Sequence, residues 1–129
     1  MTLSQIMSAL KSQLNSSSID FNQVESYEGQ FEDAKNFIIK PPSAFVDIPS
    51  GGKSDKLANG KGVNVNIYIS TGNLHSKAQT NTMLNVIDTI STEIEESSLL
   101  SEQIVKYTGF EKLGNYPGFK LYQVNFRID

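Results

Sequence analysis

The chain has 129 residues, a formal net charge of −3 at neutral pH, 38% hydrophobic residues and 19% charged residues, which fits one ordinary globular domain. This acidic balance argues against a nucleic-acid-binding protein, because such proteins carry a basic surface. The absence of cysteine excludes disulfides, thiolate nucleophiles and zinc sites built on sulfur.

Nothing in the sequence predicts export or a membrane partner. No apolar run approaches the roughly 18 residues that a membrane-spanning helix needs. The first residues, MTLSQIMSALKSQL, have neither a basic start nor a continuous apolar stretch, so we expect no secretory signal there. We therefore expect the chain to fold in the cytoplasm of the cell that makes it.

The N-terminal third predicts two helices with a weak strand between them. Apolar residues recur at helical spacing over residues 3–14, and residues 21–27 are a weak strand candidate. Helical spacing returns over residues 30–38, where we expect a short helix. It ends before Pro41, because a residue that precedes proline is forced out of the α region.

The middle of the chain predicts two strands and the longest helix. Residues 44–48 alternate as a short strand, and residues 63–70 alternate strictly, which makes them the clearest strand. Between them, residues 49–62 contain four glycines and one large apolar residue. We expect a mobile loop there, since it cannot bury enough surface to offset its ordering entropy. Residues 76–97 predict a long helix packed on the second strand. The expected core consists of Val63, Val65, Ile67, Ile69, Val86, Ile87, Ile90 and Ile94.

The C-terminal part predicts two strands, over residues 103–108 and 119–128, with a turn over 114–118. Phe119 and Leu121 have the opposite parity to the apolar residues that follow them, so we expect a bulge or register change near Leu121. The order α-β-α-β-β-α-β-β predicts a single α+β domain. Its mostly antiparallel or mixed sheet is covered by two main helices.

Two short patterns suggest nucleotide binding or catalysis, and neither meets its requirements. Gly52-Lys53-Ser54 resembles the end of a phosphate-binding loop, but Asp47 stands where that motif needs its first glycine, and no helix follows. His75 is the single histidine, and no serine lies in a G-x-S-x-G elbow. The calcium-loop pattern is also absent. We therefore predict no enzyme activity, no cofactor and no metal site.

Three carboxylates, Glu28, Glu32 and Asp33, are close together in the stretch SYEGQFEDA. Such a group could serve acid–base catalysis or a hard metal ion, but no second cluster of ligands completes a site. Gly29 suits a tight turn, and the last two carboxylates fall in the first turn of the predicted second helix. Negative charge there stabilises a helix by about 0.3–1 kcal/mol per residue, so we interpret the stretch as a turn and a helix start.

Negative charge also gathers near the end of the predicted long helix, at Glu93, Glu95, Glu96 and Glu102. Carboxylates at this end oppose the helix dipole. Two interpretations stay open: the glutamates are simply solvated, or a basic partner covers them.

From Val24 to the C-terminus, the order of motifs resembles the phage Mu-like minor tail protein family. The resemblance rests on VESYEGQFEDA, a proline before the strand SAFVDIPS, the strand VNVNIYISTGNL, a long helix and the closing strand LYQVNFRID. It implies a virion protein of the tail-terminator type, which forms a ring, usually of six copies, at the head-proximal end of the tail tube. Such a ring stops growth of the tube and faces the neck.

The resemblance implies no catalytic residues. The implied partners are further copies of the chain and the tail-tube and neck proteins, without sequence-specific binding of nucleic acid. The implied location is the virion, with assembly in the host cytoplasm. A neck connector or tail-completion protein is the nearest alternative. A small enzyme or ligand-binding domain is the alternative of another class, and it should have a concave pocket with convergent polar groups.

Charge is separated along the chain in a way that suits a ring, because a ring contact joins two different patches of the same chain. Lysines gather in residues 49–62, whereas the stretch from Asp20 to Asp33 has five carboxylates and no basic residue. The alternative is that all these groups are solvated. The candidate assembly residues are Lys53, Lys56, Lys61, Glu28, Glu32 and Asp33.

Overall fold

The computed structural model describes residues 1–32, 38–53, 61–72 and 77–129. These residues form α1 (Leu3–Asn15), β1 (Gln23–Ser26), β2 (Ser43–Lys53), β3 (Lys61–Gly72), α2 (Lys77–Glu95), β4 (Val105–Tyr116) and β5 (Phe119–Ile128). A 3-10 turn at Ser98–Leu100 connects α2 to β4. The predicted single α+β domain is confirmed.

One mixed sheet organises the fold, with the strand order β1-β2-β3-β5-β4. β1 runs parallel to β2, and the other neighbours are antiparallel. β3 and β5 form the centre, where their register runs without interruption from the Val63–Ile128 pair to the Gly72–Phe119 pair. β1 and β4 are the two edge strands.

Both helices pack on the same face of the sheet and enclose the main core. All eight residues of the core predicted from the alternation in β3 and the stripe of α2 are buried. α1 adds Ile6, Leu10 and Leu14, which are at most 1% exposed. At about 25 cal/mol per Å² of apolar surface, this burial is the main force that holds the helices to the sheet.

Polar contacts fix the two ends of α1. Thr2 and Gln5 form a capping box at its start, in which the Thr2 hydroxyl accepts from the Gln5 amide and the Gln5 side chain accepts from the Thr2 amide. After its end, Ser17 and Ser18 donate to the Glu93 carboxylate of α2, with distances of 2.8 Å from Ser17 Oγ and 3.2 Å from Ser18 Oγ. Glu93 therefore joins the two helices, whereas Glu95 and Glu96 are exposed.

The predicted short helix over 30–38 falls mostly on residues 33–37, outside the described residues. The part that is described, residues 30–32, is a turn. In this turn the Glu32 amide donates to the Gly29 carbonyl at 3.0 Å, and Gly29 has a φ of 88°. The predicted tight turn at Gly29 is confirmed, since this φ is one that glycine adopts without steric cost.

The predicted loop over 49–62 is wrong at both ends. β2 continues to Lys53 and β3 begins at Lys61, so the two strands pair as far as the Lys53–Lys61 pair, with a register shift after Asp47. The glycines that indicated a loop allow this pairing, because a Cβ atom on Gly51 would lie 2.8 Å from the Gly62 carbonyl oxygen. Residues 54–60 lie outside the described residues, and their mobility stays a prediction.

The turn between β4 and β5 is shorter than the predicted 114–118. β4 continues to Tyr116, which pairs with Phe119, and only Pro117 and Gly118 connect the strands. Proline fixes the first turn position, and Gly118 has a φ of 89°, the combination that a type II turn requires.

The irregularity predicted near Leu121 lies in the neighbouring strand. The register between β4 and β5 shifts at Thr108 and again at Leu113. The second shift lies opposite Leu121 and Tyr122. The register between β5 and β3 is regular. A bulge in β5 is not needed, because Leu121 is buried on the face of the sheet away from the helices. The change of parity therefore reflects a second apolar cluster.

Candidate functional site

An aromatic cluster occupies part of the sheet face that the helices leave open. The ring centroids of Tyr27 and Tyr68 are 4.6 Å apart, and Phe31 lies edge-on to Phe45 at 5.1 Å. Phe119 continues the cluster, 6.0 Å from Phe31. Aromatic pairs at these separations are stabilising beyond their burial. The turn after β1 is therefore held on the sheet by packing.

Two carboxylates lie beside the tyrosines of this aromatic cluster. Burial raises the pKa of Tyr27, and the negative charge of Glu32 raises it further. Burial also raises the pKa of Tyr68, with a smaller contribution from the charge of Asp47. The pKa of Asp47 is itself raised by burial, against a lowering effect from its hydrogen bond with the Ile48 backbone. Both phenols stay neutral at physiological pH, so this arrangement supplies no activated oxygen nucleophile.

The carboxylates that suggested a metal site do not form one in the described part of the chain. No group of three or more His, Asp or Glu side chains comes together there. Glu28 and Glu32 are exposed in the turn after β1, and Asp33 lies outside the described residues. The Glu28 amide donates to the Gln30 side chain, a contact that serves the turn.

The other half of the open face is polar and bonded within itself. Asn64 donates to Ser50 at 2.8 Å, and Gln123 donates to Asn125 at 2.7 Å. Arg127 Nε and Nη2 each lie 3.1 Å from the same carboxylate oxygen of Asp129. In this half, each of these named polar groups already has a partner.

A groove of about 630 Å³ lies between α1 and the Ser98–Leu100 turn. Its polar lining consists of serines, Gln5 and one carboxylate, Glu102. Serine hydroxyls without a neighbouring base are poor nucleophiles. The groove therefore does not gather the acid–base pair that the enzyme alternative needs.

The β2–β3 hairpin extends beyond the rest of the sheet. β5 leaves β3 at the Val63–Ile128 pair, whereas β2 and β3 continue to the Lys53–Lys61 pair. We call residues 50–53 and 61–63 the hairpin arm, of which the Gly52–Gly62 and Lys53–Lys61 pairs lie beyond β5. Two of the three candidate lysines are therefore cross-strand partners in this arm, and Lys56 lies outside the described residues.

Four exposed carboxylates lie in and next to β1. Asp20, Glu25, Glu28 and Glu32 are all exposed, and we call them the acidic edge. β1 ends beside Val46, seven positions before Lys53 along β2. At about 3.3 Å per residue, the arm's end lies roughly 20 Å farther along the sheet. Within one chain, Lys53 and Lys61 therefore lie far along the sheet from the acidic edge.

Side-chain amides at the start of β1 cap backbone groups of the segment that leads into β2. Gln23 Nε2 donates to the Ile38 carbonyl at 3.0 Å, and Gln23 Oε1 accepts from the Lys40 amide at 2.7 Å. Asn22 bonds to Pro41 and Pro42 through its side chain and its backbone amide. These contacts fix the segment that leads into β2 beside the start of β1. No sequence pattern predicts them, because they depend on the return of the chain at residues 38–42.

The β4 edge is longer and has no covering strand in the described part of the chain. It spans twelve residues, against four in β1. Large apolar side chains are exposed along it, with Phe110 48% and Leu113 39% exposed and Ile104 44% exposed just before it. A long edge strand with exposed apolar residues is a site for pairing with another chain. We name Val105–Tyr116 the open edge.

No protein-family model and no curated protein sequence matches the chain. Of the helices in the described ranges, none combines the length and apolar character needed to cross a membrane. The function must therefore be argued from the arm, the two edges and the two faces of the sheet.

Proposed function

We propose that the chain is a structural phage tail protein of the tail-terminator type, which assembles as a ring of six copies at the head-proximal end of the tail tube. The order of sequence motifs supports this proposal. The observation that carries it is the separation of the hairpin arm from the acidic edge by roughly 20 Å along the sheet.

A ring requires a contact between two different patches of the same chain. The hairpin arm and the acidic edge are two such patches, and their formal charges are opposite. The arm of one copy reaches its neighbour because its strands extend past the end of β5.

Charge in this contact sets orientation and association rate more than affinity. Exposed ion pairs are each worth less than about 1 kcal/mol and weaken with salt. Apolar contacts must therefore supply most of the binding free energy. We expect ring formation to be slower at high ionic strength, with a smaller effect on the stability of rings already formed.

The test reverses three charges in and beside the arm, with Lys53→Glu, Lys56→Glu and Lys61→Glu in one variant. We expect the variant to lose rings, and caps on purified tails, in electron micrographs at low ionic strength. The matched control reverses Lys11, Lys40 and Lys112, which lie outside the arm, and gives the same net charge.

Restoration by the partner patch makes this test specific. A second variant with Glu25→Lys, Glu28→Lys and Glu32→Lys should restore mixed rings when combined with the arm variant. If the arm variant forms rings as well as the parent, the arm is not an assembly element. If the parent protein neither forms rings nor binds tail ends, the tail proposal is wrong. Binding to isolated necks but not to tails would instead favour the neck connector.

A further inference from the structure

We infer that the open edge pairs antiparallel with the open edge of a second copy, giving a two-fold dimer with one continuous sheet. This inference does not depend on the tail function proposed above. It rests on the apolar side chains exposed along β4, on its position at the end of the sheet and on the order of its charges.

The bulge at Thr108 determines which side chains of β4 share a face. Before it, Lys106 pairs with Arg127 on the open face, and Tyr107 pairs with Phe126 on the core face. After it, Phe110 pairs with Val124 on the core face, and Glu111 pairs with Gln123 on the open face. Lys106 and Glu111 therefore share one face, and Tyr107 and Phe110 share the other.

One register of two antiparallel β4 strands uses both pairs at once. With the two-fold axis between Thr108 and Gly109, Lys106 lies opposite Glu111 of the second copy, and Tyr107 lies opposite its Phe110. Symmetry repeats each pair. Opposite charges and aromatic residues placed directly across two strands both stabilise a sheet.

Other registers lose these pairs. An axis at Phe110 places Lys106 opposite Gly114 and Glu111 opposite Gly109. An axis at Glu111 places this glutamate opposite itself, where like charges destabilise the pairing. A register shifted by one residue would also place apolar side chains of one copy opposite polar side chains of the other. The charge order therefore selects the first register.

A second copy of the chain is the occupant that this pattern fits, because the strand is complementary to itself. In the same register Ile104 lies opposite Leu113, so two exposed apolar side chains become cross-strand partners. The backbone and the apolar pairs supply affinity, and the ion pairs set the register.

The first experiment measures mass against protein concentration by analytical ultracentrifugation at low ionic strength. We expect the parent to form dimers, and we expect Lys106→Glu or Glu111→Lys alone to raise the dimer dissociation constant at least tenfold. The variant with both changes restores the opposite pairs and should dimerise like the parent. Lys112→Glu is the matched control, because this register places Lys112 opposite an uncharged Val105.

A parent that stays monomeric at all concentrations overturns the inference, as does a double variant that does not recover. An equal loss with Lys112→Glu would show a general charge effect and would also overturn it. The experiment contains no tails and leaves the arm unchanged, so its failure is distinct from failure of the ring proposal.

The second experiment tests the register by cross-linking, which is clean because the chain has no cysteine. Residues directly opposite in an antiparallel pair have Cα atoms about 4.5–5.5 Å apart, within the range of a disulfide. A mixture of Lys106→Cys and Glu111→Cys proteins should therefore form a mixed disulfide on mild oxidation. Each protein alone should cross-link far less, since identical positions are offset along the strands. Equal cross-linking in all three samples would contradict the register. Both changes are at exposed positions, and a thermal melt verifies that each protein folds.

Discussion

The two edges of the sheet are treated differently by the same chain. β1 has four residues, and the side-chain amides of Gln23 and Asn22 join its start to the segment that leads into β2. β4 has twelve residues, exposed apolar side chains and no covering strand among the described residues. A very short edge strand offers little backbone for pairing, whereas a long one offers more. The contrast supports the proposed pairing of a second copy at β4.

The bulges in β4 refine this contrast. Bulges increase local twist and are one of the ways in which proteins limit pairing at an edge. In β4 they fall at Thr108 and Leu113. The bulge at Thr108 places Lys106 and Glu111 on a common face. Only a strand whose own side chains match this changed order of faces can therefore pair well with the open edge.

The largest effect is expected at neither edge, but at the central strand on which both depend. Ile67 is fully buried between α2 and the neighbouring strands. Ile67→Asp places an unpaired charge there and should cost several kcal/mol, enough to unfold a domain of ordinary stability. The measurement is urea unfolding followed by circular dichroism.

Ile67→Val is the matched control and should cost about 1 kcal/mol, because it removes one buried methyl group. A soluble Ile67→Asp protein that melts cooperatively near the parent temperature would show that this strand is not the centre of the core. Loss of only one edge, seen by amide exchange, would show that the two edges fold separately.

The next effect tests the cap that Gln23 forms on the segment leading into β2. Gln23→Ala removes both side-chain hydrogen bonds and leaves the Ile38 carbonyl and the Lys40 amide without this partner. Partial exposure lets water replace some of the loss, so we expect a cost of about 1–2 kcal/mol in unfolding free energy.

Gln103→Ala is the control for this change, because Gln103 lies beside the other edge of the sheet, before β4. We expect it to change the unfolding free energy by less than about 0.5 kcal/mol. Equal costs for the two glutamine variants would mean that the Gln23 cap contributes nothing specific.

A smaller effect is expected at the turn that attaches the open edge. Gly118→Ala places a Cβ atom on a residue with a φ of 89°, a conformation that costs other residues about 1 kcal/mol. This loss of stability should speed up amide exchange in β4 and leave exchange in β1 unchanged. Amide exchange can be measured for each strand separately. Gly52→Ala is the matched control, since a Cβ atom there meets nothing within 4 Å. Loosening of β1 instead of β4 would contradict the independence of the edges.

The sequence predicted the parts of the fold in which local pattern and long-range pairing agree. The alternation from Val63 to Ile69 and the stripe of α2 identified the core, and Gly29 identified its turn. The same reasoning predicted a loop where the hairpin arm forms, because glycine disfavours strands locally. Gly51 is nevertheless required in this strand pair, because the two backbones approach each other closely there.

The candidate sites were less predictable, because they depend on how distant segments meet. Phe45 and Tyr68 occupy positions that alternation assigned to a polar face, and that was the available signal for the aromatic cluster. The capping role of Gln23 and the position of β4 at the edge follow from sheet order, which local spacing does not encode. The sequence identified the lysines and the carboxylates as groups of opposite charge. Only the strand register shows that Lys53 and Lys61 lie far from the acidic edge within one chain.

The smallest effect concerns Asp47, which lies in β2. Burial raises the pKa of this carboxyl in the folded protein above its ordinary value. The folded state therefore holds the proton more tightly than the unfolded state does. Stability should consequently fall as the pH rises from the unfolded pKa through the folded pKa, and then stay constant. Asp47→Asn keeps the shape of the side chain and removes the ionisation.

The expected result is a pH-dependent difference between parent and Asp47→Asn protein in chemical unfolding. Below both pKa values the parent carboxyl is protonated in each state, so the two proteins should have similar unfolding free energies. At neutral pH the parent bears the cost of an ionised, partly buried carboxylate, and the variant should be the more stable. A variant that is less stable at neutral pH would mean that the charge of Asp47 is favourable in the folded state. The hydrogen bond with the Ile48 backbone, which favours the ionised carboxylate, would then outweigh the effect of burial.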